Sequence, residues 1–530
     1  MELSRLIAEL SQPVAYSYPV PLIEVRQTHI SVVFLAGSFV YKIKKPVDLG
    51  FLDFSSLDKR RHYCQEEVRL NRRLAPEVYL DVMPVTAGPS GARFEGRGDA
   101  IEWAVKMQRL PDDANMESRL DRGQLDTSNI ADLAGRIAAF HAAAEGGERI
   151  AAFGRFDVVA GNARENLEQV APHVGTTISR SVLDRLQSLV EASLEQNRAL
   201  IEARADAGVP RDTHGDLRLD HVYLLPDRAP PADVIVIDCI EFNERFRFAD
   251  PVADMAFLVM GFLGRGRGDL ARTFADAYFR SSGDEAGRAL LPFYVSYRAA
   301  VRGKVESLKL VEPEIPQAER EAALVRARGL WLLALSALEQ PGRRPALVLV
   351  GGLPGSGKST LAADLARQAG FTVIRSDVVR KELAGALATS TSAAGFEQGI
   401  YSPSWTERTY AECLRRAGEL LLAGGRVIVD ASFGDDRQRQ AFLEAANRLG
   451  AAGIFMLCHA PGDTIRDRLA ARRGDVSDAD WAIHLRAAET WQEPGPMARA
   501  ALREISTVGS RQESLESALD ALRDVQLLDR

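Results

Sequence analysis

The chain has 530 residues, 46% hydrophobic and 26% charged, which is ordinary globular usage and enough for several cores. That composition excludes a disordered, collagen-like or small disulfide-stapled chain. With 66 Lys+Arg against 73 Asp+Glu the formal net charge is -7, which excludes a globally basic nucleic-acid binder but not a local basic groove.

Length alone suggests roughly three to four structural units. The start, MELSRLIAELSQPVAYS, lacks a basic region followed by a long apolar core, so no signal peptide is expected. The longest apolar stretch, 255–263, is interrupted by Gly261 and too short to span a bilayer. A cytoplasmic protein with no membrane partner is expected. Cys64, Cys239, Cys413 and Cys458 form no C-x-x-C pair, so they read as buried free thiols rather than zinc ligands or disulfides.

In chain order, 28–35 and 39–44 predict a hairpin around Ala36-Gly37-Ser38, followed by a helix over about 57–74 and a strand at 101–107. Residues after about 125 are mostly helical, until a loop at 211–221 and a strand at 234–237. A further helix is predicted over 317–338. Gln340-Pro-Gly-Arg-Arg-Pro345 then breaks helix, and its charge argues for solvent. Beyond it, strands are predicted at 346–350, 371–374, 426–429, 453–457 and, more weakly, 504–508, with helices between and a last helix at about 511–525. This alternation predicts a doubly wound parallel sheet with helices on both faces. The expected organisation is a domain 1–338 (a β-rich small lobe at about 20–110, an α-rich large lobe at about 111–338), a linker 339–345 and a domain 346–530. The fold class is thus multi-domain, α+β followed by α/β.

Residues Gly352, Leu353, Pro354, Gly355, Ser356, Gly357, Lys358, Ser359 and Thr360 contain G-x-x-x-x-G-K-[ST] between a buried strand and a helical run. Glycines let successive backbone N–H groups turn towards an anion, and the helix N-terminus adds its positive end. Lys358 can reach the β- and γ-phosphates of ATP, and Ser359 can ligate Mg2+. Asp377 follows the second strand, where it can take a proton from an attacking hydroxyl or cap the next helix. Asp430 ends the third strand, where it can hold Mg2+ through water or serve as a cap. In TIRDRLAARRGD, Arg468 and Arg472 share a helical face with Arg466 and Arg473 nearby; the face either closes over phosphates or is merely solvated.

GGLPGSGKST, IRSD, VIVDASF and the arginine-bearing segment together resemble the P-loop kinases of the polynucleotide-kinase, gluconate-kinase and zeta-toxin group, over about 345–530. The resemblance implies phosphorylation of a hydroxyl on a nucleic-acid end, sugar or nucleotide sugar, with Asp377 as base.

Thr213-His-Gly-Asp-Leu-Arg-Leu-Asp-His221 places one acid in a loop, and Asp238 follows the strand at 234–237. Such a pair suits phosphoryl transfer: Asp216 orients and deprotonates a hydroxyl while Asp238 holds Mg2+. The region 20–335 resembles the aminoglycoside-phosphotransferase branch of the protein-kinase-like fold, which implies a bilobal domain. The resemblance assigns Asp216 as catalytic and Asp238 as metal-binding, and Asp254, in DPVADMAF, resembles the later D-P-x-x-D element, whose implied role is structural. Lys42 stands where a phosphate-binding lysine belongs, and Lys44 shares its strand face. Glu67 or Glu66 can pair with that lysine, and KMQRLP at 106–111 resembles the hinge between lobes.

Two departures stand out. His221 occupies the position of the family's second-metal Asn, and imidazole prefers softer metals than Mg2+. No glycine-rich loop precedes Lys42. The expectation is a phosphotransferase with two ATP- and Mg2+-dependent centres acting on a hydroxyl of a small molecule or nucleic-acid end, without stable duplex binding. The alternatives are one active P-loop kinase with a degenerate regulatory domain, and a non-catalytic nucleotide switch. Oligomeric state stays open.

Overall fold

A computed structural model describes all residues except 1, 90, 313–314, 386–398, 472–479 and 530. The chain divides into two compact units that do not follow chain order. One comprises Met1–Ala160, Asn197–Gly261 and Gly268–Leu291; the other comprises Gly161–Gln196, Phe262–Arg267 and Pro292–Arg530.

The first unit opens with six strands: β1 (Ile23–Gln27), β2 (Ser31–Ala36), β3 (Phe39–Lys44), β4 (Tyr79–Gly88), β5 (Gly91–Phe94) and β6 (Ala100–Gln108). They form one antiparallel sheet in the order β1-β2-β3-β6-β4-β5. Strand alternation decides what each face of β3 carries. Tyr41 and Ile43 enter an apolar cluster with Phe34, Val85 and Phe94. Helix Leu57–Asn71 begins on a Ser56 cap and contributes Cys64 and Val68 to a second cluster with Tyr79, Val105 and Met107. Further along come four short strands, β7 (Arg211–Asp212), β8 (Val222–Leu224), β9 (Val234–Val236) and β10 (Phe248–Ala249), paired as β7–β10 and β8–β9. Helices Thr127–Ala143, Pro251–Leu263 and Gly268–Ser282 supply the α-rich part; the predicted apolar stretch at 255–263 is thus a buried helix.

In the second unit, β11 (Ala346–Gly351), β12 (Thr372–Arg375), β13 (Arg426–Asp430), β14 (Ala452–His459) and β15 (Leu502–Ser506) form a wholly parallel sheet, in the order β12-β13-β11-β14-β15. Every residue of β11 is buried, as its apolar run requires. Helices Lys358–Ala369 and Arg511–Asp524 cover one face, Pro403–Leu422 and Asp436–Arg448 the other. Helix Gln317–Leu338 matches its predicted bounds. The stretch after it is less solvated than its charge suggests: Glu339 is buried against Arg185 at 2.5 Å and Pro345 is buried, while Gln340 and Arg343 stay exposed. All four cysteines are free and buried.

Candidate functional site

The P-loop joins β11 to helix Lys358–Ala369. Gly352 has φ of 138°, and a Cβ there would stand 2.5 Å from the Cys458 carbonyl, so only glycine fits. Asp430 pairs in register with Val350 on one side and Arg375 on the other, which sets its carboxylate at the strand ends beside the loop. It is buried. Burial raises its carboxyl pKa, against the pull of Lys358, a hydrogen bond from Ser359 and the Arg375 charge. Its Oδ1 has no hydrogen-bond partner, and neither does the buried Ser356 Oγ of the loop. Two orphaned oxygens, one in the loop and one at the strand end beside it, fit a site that a cation and an anion complete. Asp430 ends a strand and caps no helix.

Asp377 is the second residue of helix Ser376–Leu383, half-buried, and near enough to raise the Asp430 carboxyl pKa. The cap position belongs to Arg375, so Asp377 is not the cap. Arg468, on helix Gly462–Ala471, donates to Thr507 Oγ1 at 3.1 Å and to the Thr507 carbonyl, while Thr507 Oγ1 donates to the Ser356 carbonyl at 2.8 Å. It is therefore tethered beside the loop through Thr507. Arg472 and Arg473 lie outside the described residues.

Sequence reasoning missed His484. Its Nδ1–H donates to the Pro354 carbonyl at 2.8 Å, and its ring stacks on Trp481 at 4.8 Å and 9°. A Cβ on Gly355 would meet Ile465 at 2.7 Å, so helix Gly462–Ala471 also presses on the loop. A lone histidine and a lone threonine 130 and 151 residues from their loop partners give no local signal.

In the first unit, Lys42 and Lys44 share the face of β3 that receives Glu67 from helix Leu57–Asn71. Glu67 Oε1 lies 2.8 Å from Lys42 and Oε2 2.8 Å from Lys44. Lys42 also reaches Asp238 Oδ1 at 2.7 Å, and Lys44 pairs with Glu241. Burial works against both ammonium groups, but Asp238 and Glu67 hold the Lys42 pKa up, as Glu241 and Glu67 do for Lys44. Burial likewise opposes the Glu67 carboxylate, and Lys42 and Lys44 keep its pKa below the usual value. Lys42 alone of the two lysines bridges Glu67 and Asp238. Glu66 instead pairs with Arg69 at 2.7 Å.

The loop carrying Asp216 is pinned from behind. Asp254 accepts the N–H groups of His214 at 3.0 Å and Gly215 at 2.8 Å, and faces His141 Nε2 at 3.0 Å. Burial opposes its charge, yet the His141 hydrogen bond and charge help hold its pKa at about 2. Gly215 has φ of 85°, and a Cβ there would meet the Phe246 carbonyl at 2.9 Å. His214 Nε2–H donates to the Ile237 carbonyl at 3.0 Å, and burial pushes its pKa down to about 4. Asp216 Oδ2 lies 3.4 Å from Arg218 Nη1 and 3.8 Å from His221 Nδ1. Asp238 holds φ of 65°, and its N–H donates to the Tyr79 hydroxyl at 3.1 Å. That strained backbone turns its carboxylate to Lys42 and His221. Although burial opposes its charge, Lys42 and His221 keep the Asp238 pKa well below the carboxylate range. Among the described residues, no three His, Cys, Asp or Glu side chains are grouped to hold a metal ion by themselves, and no helix is long and apolar enough to cross a membrane.

Residues 347–494 match the AAA domain family, on the segment that carries the P-loop. An uncharacterized protein of Mycobacterium tuberculosis is 34% identical over 500 residues, covering 94% of this chain and 95% of its own, and an uncharacterized protein of Mycobacterium bovis matches to the same extent. The chain belongs to the family of these mycobacterial proteins, with an AAA-type P-loop segment in its C-terminal part. Among solved structures, a gluconokinase from Sinorhizobium meliloti 1021 is similar at 19% identity over 35% of this chain and 95% of its own, with a TM-score of 0.27. A choline/ethanolamine kinase family protein from Mesorhizobium loti is similar at 12% identity over 63% and 98%, with a TM-score of 0.36.

Proposed function

We propose that the chain is an ATP-dependent phosphotransferase whose principal centre is the P-loop, transferring the γ-phosphate to a hydroxyl of a small molecule or nucleic-acid end. The observation that carries this is the buried Asp430 carboxylate beside Lys358 and Ser359, with Oδ1 unpartnered. Backbone N–H groups of Gly355, Gly357, Ser359 and Thr360 bind phosphate oxygens, while Gly352 donates to the Ser432 carbonyl and Pro354 carries no N–H, and Lys358 neutralises the phosphate charge. Ser359 and Asp430 are the groups that would hold Mg2+, which when bound screens the phosphates against the incoming hydroxyl. Asp377 accepts the hydroxyl proton. Arg468 and Arg472 supply positive charge to the transferring group.

A second centre in domain 1–338 is favoured by one specific observation: Lys42 is held between Glu67 and Asp238, while the Asp254 carboxylate fixes the backbone of the loop that presents Asp216. There Lys42 orients phosphate, Glu67 orients Lys42, and Asp216 takes the acceptor's proton. Both centres work in the cytoplasm on soluble acceptors.

The test is ATP consumption by the full chain and by Lys358→Ala, Asp216→Ala and Asp377→Asn variants, against pooled 5′-hydroxyl oligonucleotides, sugars, nucleotide sugars and aminoglycosides. Lys358→Ala lowers turnover by about 10²–10³-fold. Different acceptors lost in Lys358→Ala and Asp216→Ala establish two centres. Asp216→Ala without effect on any acceptor leaves the first domain a regulator. Full activity in Asp377→Asn removes Asp377 as base, and full activity in Lys358→Ala removes the P-loop centre.

A further inference from the structure

Successive backbone N–H groups around Asp238 each donate to a different partner. Ile237 donates to the His221 carbonyl at 3.0 Å, Asp238 to the Tyr79 hydroxyl at 3.1 Å, Cys239 to Asn71 Oδ1 at 2.8 Å and Ile240 to the His214 carbonyl at 3.1 Å. The two side-chain acceptors flank Asp238. The Asp238 N–H lies in the peptide plane that its φ turns about, and the Cys239 N–H in the plane that its ψ turns about. Tyr79 and Asn71 therefore hold one dihedral each of a residue at φ of 65°, a conformation that costs a non-glycine residue energy.

Both partners are enclosed. Tyr79 opens β4 and Asn71 ends helix Leu57–Asn71, each only 1% exposed. A backbone N–H only donates, so the Asn71 amide oxygen faces Cys239, while its NH2 group donates to the Glu67 carbonyl at 2.9 Å. One side chain thus ties the turn that carries Glu67 to the peptide that follows Asp238. Just beyond it, Arg73 donates to the carbonyls of Asp212 at 2.6 Å and Thr213 at 2.9 Å, on the run that leads to Asp216. The Asp238 side chain itself stays 44% exposed, so its carboxylate is open to a cation although its backbone is held.

We propose that Asn71 and Tyr79 are positioning residues of the second centre. They act through Asp238 and not on the nucleotide: together they fix its backbone, so that its carboxylate is set for the nucleotide's cation before any ligand arrives. The inference rests on domain 1–338 binding a nucleotide. Without either bond the Asp238 backbone is free to relax towards an ordinary negative φ, which turns the carboxylate away from Lys42.

The experiment compares the full chain with Asn71→Leu, which keeps the volume, and Tyr79→Phe, which removes only the hydroxyl. Amide hydrogen exchange over 237–241 is followed by mass spectrometry without ligand. The Mg2+ requirement for ATP binding is then measured in chains that also carry Lys358→Ala, so that the P-loop does not report. Expected is slow exchange of 237–241 in the unliganded parent chain. Each variant speeds that exchange by about fivefold to tenfold, while helix Pro251–Leu263 exchanges as before. Each also raises the Mg2+ concentration for half-maximal ATP binding by about fivefold and leaves binding of metal-free ATP unchanged. Should Asn71→Leu fail to fold, Tyr79→Phe decides. Fast exchange of 237–241 in the unliganded parent chain overturns the inference, because Asp238 is then not held in advance. Faster exchange throughout the first unit with an unchanged Mg2+ requirement also overturns it, since the two bonds then serve stability alone. Binding by Lys358→Ala whose Mg2+ requirement is the same in both variants overturns the inference and leaves the second centre standing. No ATP binding at all by Lys358→Ala overturns the second centre and the inference with it.

Discussion

Around Lys42 the buried charges answer one another: Glu67 serves two lysines, and those lysines serve Asp238 and Glu241. Around Asp430 fewer do: its Oδ2 meets Arg375 Nε at 3.4 Å, but its Oδ1 and the Ser356 Oγ are buried with neither a hydrogen bond nor an ion pair among the described residues. The first arrangement is stiff before any ligand arrives, because each charge depends on its neighbour for the solvation that burial removed. The second holds its groups by backbone instead, through the strand register of Asp430 and the forced turn at Gly352. A phosphate and its cation then satisfy what the protein leaves open. Charge networks and backbone frames are thus two routes to preorganisation.

The contrast breaks first at Glu67. Glu67→Ala leaves two buried ammonium groups sharing fewer anions, and is expected to cost about 3–5 kcal/mol in denaturant unfolding of the first unit. Lys358→Ala, at the open centre, removes a half-buried group that no carboxylate holds at ion-pair distance among the described residues, so the melting temperature hardly moves while turnover falls. If both variants destabilise equally, the two centres are built alike.

A smaller effect lies in pH. His214 is held near 4, below its usual 6.5, by burial. As pH falls from about 6.5 towards 4, the unfolded chain binds a proton that the folded chain refuses, so stability is full above about 6.5 and declines across that window. The loss approaches about 3 kcal/mol and is absent in His214→Gln, which stays neutral. Chemical unfolding at pH 7 and pH 4.5 of both chains isolates it. An identical pH dependence in the two would show that His214 titrates freely.

The parts of this chain legible in its sequence are those whose chemistry dictates local spacing. The P-loop is one, because glycines, lysine and serine must follow a buried strand within a few residues. Helix Gln317–Leu338 is another, since helix formers and the Pro-Gly break bound it. That Glu339 is buried against Arg185 was not legible, because its partner is 154 residues away. Lys42 and Lys44 could not be separated, since a strand puts both on one face; only the positions of Asp238 and Glu241 divide them. Glu66 and Glu67 divide by helix phase, which a helix rotation of about 100°, one residue's worth, would have reversed.

His484 offers the finest test of the comparison, because it is the place where the open centre borrows a side-chain prop. Its hydrogen bond to Pro354 and its stack on Trp481 restrain the outer arm of the loop, and nothing else described bonds that carbonyl. One hydrogen bond at a half-exposed loop is worth about 1 kcal/mol, or roughly a fivefold change. His484→Ala is therefore expected to raise the KM for ATP by about fivefold with kcat nearly unchanged, since the bond holds the loop and touches no transferring atom. His484→Gln, which keeps a donor but loses the ring, should recover part of that. A fall in kcat instead, with KM unmoved, would mean that the loop is rigid without the histidine and that His484 acts on the chemistry, so that the open centre would need a side-chain network after all.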